Sequence, residues 1–129
     1  MNIKQLIFVY NAESGLFNSL SDFAHKILSP STYKCQLCAL TYGNFKMNTE
    51  WKKFTETLPV KVIFLHKDEF ISKYGFSTAG FPSAYIKING KIKPVIPATE
   101  FQECNSLEKL KQLVAFKVAD YDKHYHPNI

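Results

Sequence analysis

The sequence predicts a single α/β domain in which parallel βαβαβ units are followed by an antiparallel β-hairpin and a C-terminal helix. Three observations lead there. Short, nearly continuous runs of β-branched, leucine and aromatic residues alternate with segments whose apolar residues recur at helical spacing, the pattern of a parallel sheet covered by helices. Asn89-Gly90, between two of the runs, is a strong hairpin signal. The 129 residues, 46% of them hydrophobic and 15% aromatic, suffice for one substantial core and are too few for two ordinary domains.

Ile3 to Tyr10 reads as a buried strand that ends in the polar loop Asn11 to Gly15. Leu16, Phe17, Leu20, Phe23, Ala24, Ile27 and Leu28 then fall on one helical face, with Ser14 as N-cap and Ser29-Pro30 as the stop. The apolar run Leu37 to Tyr42, closed by Gly43, is the expected central strand and completes a right-handed βαβ unit. After the polar loop Asn44 to Thr49, Trp51, Phe54 and Leu58 mark a helix closed by Pro59. Val60 to Leu65 is the third strand, and a short helix around Phe70 to Tyr74 leads into the loop Gly75 to Gly80. The strand Phe81 to Ile88 is entered through Pro82, and Lys91 to Ile96 returns as its hairpin partner. Pro94 lacks the amide proton that a central strand uses, and with Pro97 it puts that partner at a sheet edge. The closing helix starts near Ser106, where Asn105 and Glu108 resemble a capping box, and presents Leu107, Leu110, Leu113 and Val114. The domain is expected over residues 1–119, with 120–129 as a polar, fraying tail.

The net charge of +5 comes entirely from lysine on the basic side, without one arginine. Arginine supplies the bidentate grip of sequence-specific nucleic-acid readers, and the lysines are scattered along the chain at 4, 26, 34, 46, 52, 53, 61, 67 and onward. The expectation is a solvated lysine surface and no nucleic-acid partner. No apolar run approaches membrane-spanning length, and polar Asn11, Glu13 and Ser14 cut off the N-terminal one. With three cysteines, an odd number, the chain is expected to be cytoplasmic, with reduced thiols and no membrane partner.

The run Val62-Ile63-Phe64-Leu65-His66-Lys67-Asp68, then Lys73-Tyr74-Gly75-Phe76, Gly80-Phe81-Pro82-Ser83, Asn89-Gly90-Lys91 and a closing helix, resembles the second half of a thioredoxin. The resemblance covers about residues 60–118 in detail and the whole chain in topology. It implies a thioredoxin-like fold and a cis proline at Pro82, beside the position where the family has its active site. The thioredoxin Cys-x-x-Cys follows the central strand, at a helix N-terminus where the macrodipole lowers a thiol pKa. The corresponding loop here is Tyr42 to Met47 if the central strand is 37–42, or Asn11 to Gly15 if it is 3–10, and neither holds a cysteine. The segments Tyr10 to Gly15, His25 to Pro30, Thr32 to Cys38, Trp51 and His66 to Phe70 also resemble a family of small uncharacterised bacterial proteins, which implies no activity.

Cys35-x-x-Cys38 is the one close cysteine pair. With a helix over 16–28 and a strand over 37–42, His25 converges with it at the pole of the sheet opposite a thioredoxin site. Two thiolates and an imidazole are three of the four ligands of a structural zinc, with Cys104 or a tail histidine, His124 or His126, available as a fourth. The same cysteines can instead form a reversible disulfide and act catalytically, with His25 assisting ionisation. Equally, they can be small buried hydrophobes, with His25 capping a helix. Asn11, Glu13 and Ser14 lie in a loop at the carboxyl end of a strand, where open α/β sheets take ligands, and the thioredoxin resemblance places Pro82 beside it. His66 to Glu69 offers acid–base groups near the same face without a nucleophile. Two function classes stand: a non-enzymatic binding or adaptor module, taking a protein or small-molecule partner and carrying a candidate Cys/His zinc site, and a thiol-disulfide oxidoreductase using Cys35 and Cys38.

Overall fold

The structure is a computed structural model and describes residues 4–11, 36–41 and 47–124. Its elements are β1 (Gln5–Tyr10), α1 (Gln36–Thr41), α2 (Thr49–Glu56), β2 (Lys61–His66), α3 (Lys67–Tyr74), β3 (Ser83–Ile88), β4 (Lys91–Ile96), α4 (Ala98–Gln102) and α5 (Leu107–His124). The four strands form one mixed sheet in the order β2-β1-β3-β4. β1 runs parallel to β2 and antiparallel to β3, and β3 turns back into β4.

β1 is central, and its apolar run serves both faces of the sheet. The pleat sends alternate side chains to opposite sides. Leu6, Phe8 and Tyr10 enter one core cluster with Leu37 and Cys38 of α1, Trp51 of α2, Phe101 of α4, and Leu110 and Val114 of α5. Ile7 and Val9 enter a second cluster with Phe70 of α3 and Tyr85 of β3. Phe8 is the hub of the larger cluster: its ring centroid lies 5.4 Å from Trp51, 5.6 Å from Phe64 and 6.4 Å from Phe101.

Local chemistry sets the helix boundaries. Asn48 caps α2 by accepting a 3.0 Å hydrogen bond from the Trp51 amide, the role that favours asparagine at an N-cap. α5 buries Leu110, Val114 and Val118 at successive four-residue steps, and Lys111 ties it to α2 through a 2.7 Å ion pair with Glu50. No helix among the described residues is long and apolar enough to cross a membrane.

The expected central strand at 37–42 is instead helix α1. Leu37, Cys38 and Thr41 are the fully buried ones among the described residues of this run, the i, i+1, i+4 face of a helix rather than the alternating face of a strand. A six-residue apolar run fits either pattern, and here its neighbours decided. Among the described residues the sheet therefore contains one parallel pair, β1 with β2, in place of a parallel βαβαβ. Helix 16–28 lies outside the described residues. α4, directly after Pro97, was not anticipated, because five residues are too few to show periodicity. α5 continues through Asp120 to His124, so the expected tail starts inside a helix.

The hairpin turn has Asn89 at φ 55° and Gly90 at φ 80°, both in the left-handed region that a type I′ turn requires. β4 occupies the sheet edge, as Pro94 requires. Ile96 pairs with Ala84 and Pro94 with Tyr85, so the register shifts there and Val95 is the extra residue. The Phe81–Pro82 peptide bond is cis.

Candidate functional site

At the carboxyl end of the parallel pair, Tyr10 lies opposite His66, and Val9 lies opposite Ser83 across the antiparallel pair. Asn11, Lys67 and Pro82 follow or precede those residues directly, so three different loops meet at one end of the sheet. Asn11 is half-buried and Pro82 is buried. Glu13 and Ser14 lie outside the described residues.

His66 opens α3 through Glu69. Glu69 Oε1 accepts a 2.7 Å hydrogen bond from the His66 amide and lies 2.9 Å from His66 Nδ1. A carboxylate only accepts, so Nδ1 carries the hydrogen in this pair. The amide and then the ring N–H of His66 hold the Glu69 carboxyl below its ordinary value. The Tyr10 ring lies 6.1 Å from the imidazole. The sequence displayed His66 and Glu69 as one charged loop. Their place beside Tyr10 and Pro82 follows from the β2-β1-β3 order, which periodicity does not reveal.

Cys38 is fully buried in α1, and its sulfur is in a disulfide. Cys104 is a buried thiol outside any disulfide, its sulfur lies 3.7 Å from the Glu100 carbonyl, and burial pushes its pKa up. His25 and Cys35 lie outside the described residues. The opposite-pole placement of the cysteine pair rested on a strand at 37–42 and falls with it. Cys38 stands in a disulfide where a reduced thiol was expected, and the other two residues of the expected zinc set, His25 and Cys35, are not among the described ones. Among the described residues no group of three or more His, Cys, Asp and Glu side chains is placed to hold a metal ion. His124 falls in the last residue of α5, and His126 lies outside the described residues.

Two arrangements thus carry chemistry: a buried cysteine held in a disulfide on the α1 side of the core, and a polar loop cluster around His66 at the carboxyl end of the parallel strands. Comparison with protein-family models, with curated proteins and with solved structures gave no match in any of the three.

Proposed function

We propose that this chain is a thioredoxin-like thiol-disulfide module whose redox pair is Cys35 and Cys38. The observation that carries the reading is the disulfide at Cys38, with Cys104 outside it. The chain has three cysteines, which leaves Cys35 as the intramolecular partner. Support for a thioredoxin-like arrangement comes from the parallel β1–β2 pair, the β3–β4 hairpin on its other side and the closing helix.

The burial of Cys38 fixes its task in the proposed exchange. Cys38 has no accessible surface, so an incoming thiolate attacks the sulfur of Cys35. The Cys35–Cys38 bond breaks, Cys38 leaves as a thiolate and takes up a proton, and a mixed disulfide joins Cys35 to the client. A second client thiolate then attacks the client sulfur of that bond and releases Cys35. The client dithiol ends as a disulfide, and the protein ends as a dithiol. The reverse sequence reduces a client.

The test is intact mass and peptide mapping before and after treatment with a dithiol reductant, followed by equilibration in glutathione buffers. The expected result is a gain of two hydrogens confined to the peptide containing Cys35 and Cys38, with a reversible dependence on the glutathione ratio. A disulfide that maps to Cys104, or a pair that never reoxidises, overturns the proposal.

A non-enzymatic binding module is a second reading, favoured by the meeting of Asn11, His66 and Pro82 where open α/β sheets take ligands. It predicts that small-anion or peptide titrations perturb the amide resonances of Asn11, Lys67 and Ser83 in both redox states. Perturbation confined to α1 would count against it.

A further inference from the structure

The lysines that are scattered along the chain are not scattered in space. Lys4 precedes β1, and the Lys61 amide donates to its carbonyl at 3.3 Å. Gln5 pairs with Lys61 on one side and with Lys87 on the other, and Ile88 pairs with Lys91. Lys4, Lys61, Lys87, Lys91 and Lys93 therefore stand across all four strands at the end of the sheet opposite Asn11 and Pro82. Lys73, in the last turn of α3, joins them: the Nζ atoms of Lys73 and Lys87 lie 5.7 and 5.4 Å from the Tyr74 ring centroid, and Lys87 donates to the Tyr74 hydroxyl at 3.1 Å. On the other face, Lys4 Nζ lies 5.9 Å from the Tyr121 ring centroid. There, Lys91, Lys93, Asn89 and Tyr121 rim a cleft of about 430 Å³ floored by Ile86 and Ile88.

The charge here is held differently from that on α5. Lys111 and Lys117 on α5 are engaged by Glu50, Glu108 and Glu100, whereas Lys61, Lys73, Lys91 and Lys93 are exposed. The acidic residues nearest in the chain are Asp120 and Asp122, on either side of Tyr121, Glu69, four residues before Lys73, and Glu56, at the end of α2, against six lysines.

We propose that this lysine pole, with the Tyr121 cleft at its centre, binds single-stranded nucleic acid without sequence preference. Lysine is a point charge suited to phosphates and lacks the fork that reads base edges, which fits a track along a backbone. The half-exposed tyrosines favour nucleic acid over an acidic peptide, because a base stacks on an aromatic face and a carboxylate side chain does not. A base seated in the cleft against Tyr121 places its flanking phosphates toward Lys91 and Lys93. The surface is separate from Cys38 and from the His66 loop cluster, so it stands or falls independently of the redox proposal.

The test is fluorescence anisotropy of a labelled oligothymidylate with the full chain at several salt concentrations, each variant first matched to the wild type by circular dichroism and melting temperature. Binding is expected at about 50 mM salt, falling steeply with added salt. K91Q/K93Q is expected to weaken binding by on the order of tenfold and to reduce the logarithmic salt slope by about 0.7 per lysine. Y121L is expected to weaken it by roughly tenfold with the slope unchanged. K67Q/K109Q, the same charge change away from the pole, leaves affinity within about twofold. Absence of binding at low salt overturns the proposal, as does equal loss in the pole and control variants. Displacement by polyglutamate at equal charge concentration, together with an indifferent Y121L, overturns it in favour of an acidic protein segment.

Discussion

The Thr41 hydroxyl donates a 2.7 Å hydrogen bond to the Leu37 carbonyl one helical turn earlier, deep in the core. This bond satisfies the only polar side-chain atom that Thr41 takes into the apolar interior, and it requires the run 37–41 to be helical. Thr41→Val keeps the shape and removes the donor. The expected cost is about 1 kcal/mol in urea denaturation, with an unchanged m value.

Phe8 and Phe76 are the same residue type in opposite settings. Phe8 has no exposed surface and packs with three aromatic rings among the described residues, whereas Phe76 is 88% exposed. Phe8→Ala is expected to destabilise by about 3–5 kcal/mol through lost burial and a residual cavity. Phe76→Ala is expected to stay within about 0.5 kcal/mol. Parallel thermal melts check both.

Glu69 ties stability to pH. The His66 amide, and after it the His66 ring, stabilise the ionised carboxyl and lower its folded-state pKa from 4.5. The stabilisation is therefore present above the unfolded-state value and lost as pH falls through the lower folded value. Glu69 has 47% side-chain exposure, so solvent screening keeps the effect under about 1 kcal/mol. Glu69→Gln is expected to be less stable than wild type at neutral pH, with the gap closing as pH drops from about 6 to 3. Denaturant midpoints across that range test the sign.

Gly80 and Gly90 both have positive φ, at 75° and 80°. An added Cβ at Gly90 meets nothing within 4 Å, so Gly90→Ala is expected to cost about 1 kcal/mol for backbone strain alone. At Gly80 the Cβ would lie 3.2 Å from the Ala98 Cβ, where the Ala98 amide is already fixed to the Ala79 carbonyl at 2.9 Å. Gly80→Ala is therefore expected to cost more than Gly90→Ala, a ranking that chemical denaturation of the two variants decides.

Elements whose identity rests on local chemistry were legible before the fold. Asn89-Gly90 demands a turn with two left-handed residues, Pro94 denies its strand a central place, and the β1 run is apolar from Leu6 to Val9 because both faces are covered. The run 37–42 was not legible, since its length and composition suit a buried strand or one face of a short helix, and only packing against β1 and α4 selects between them. Site placement depended on the tertiary structure for the same reason. Lys4, Lys61, Lys87 and Lys91 are up to 87 positions apart in the chain and share one end of the sheet because strand pairing, a long-range interaction, puts β1 between β2 and β3. Tyr10, His66 and Pro82 meet at the other end through the same pairing. Sequence by itself determined which residues can carry charge, thiol chemistry or a turn, while the order of the strands decided which of them stand together.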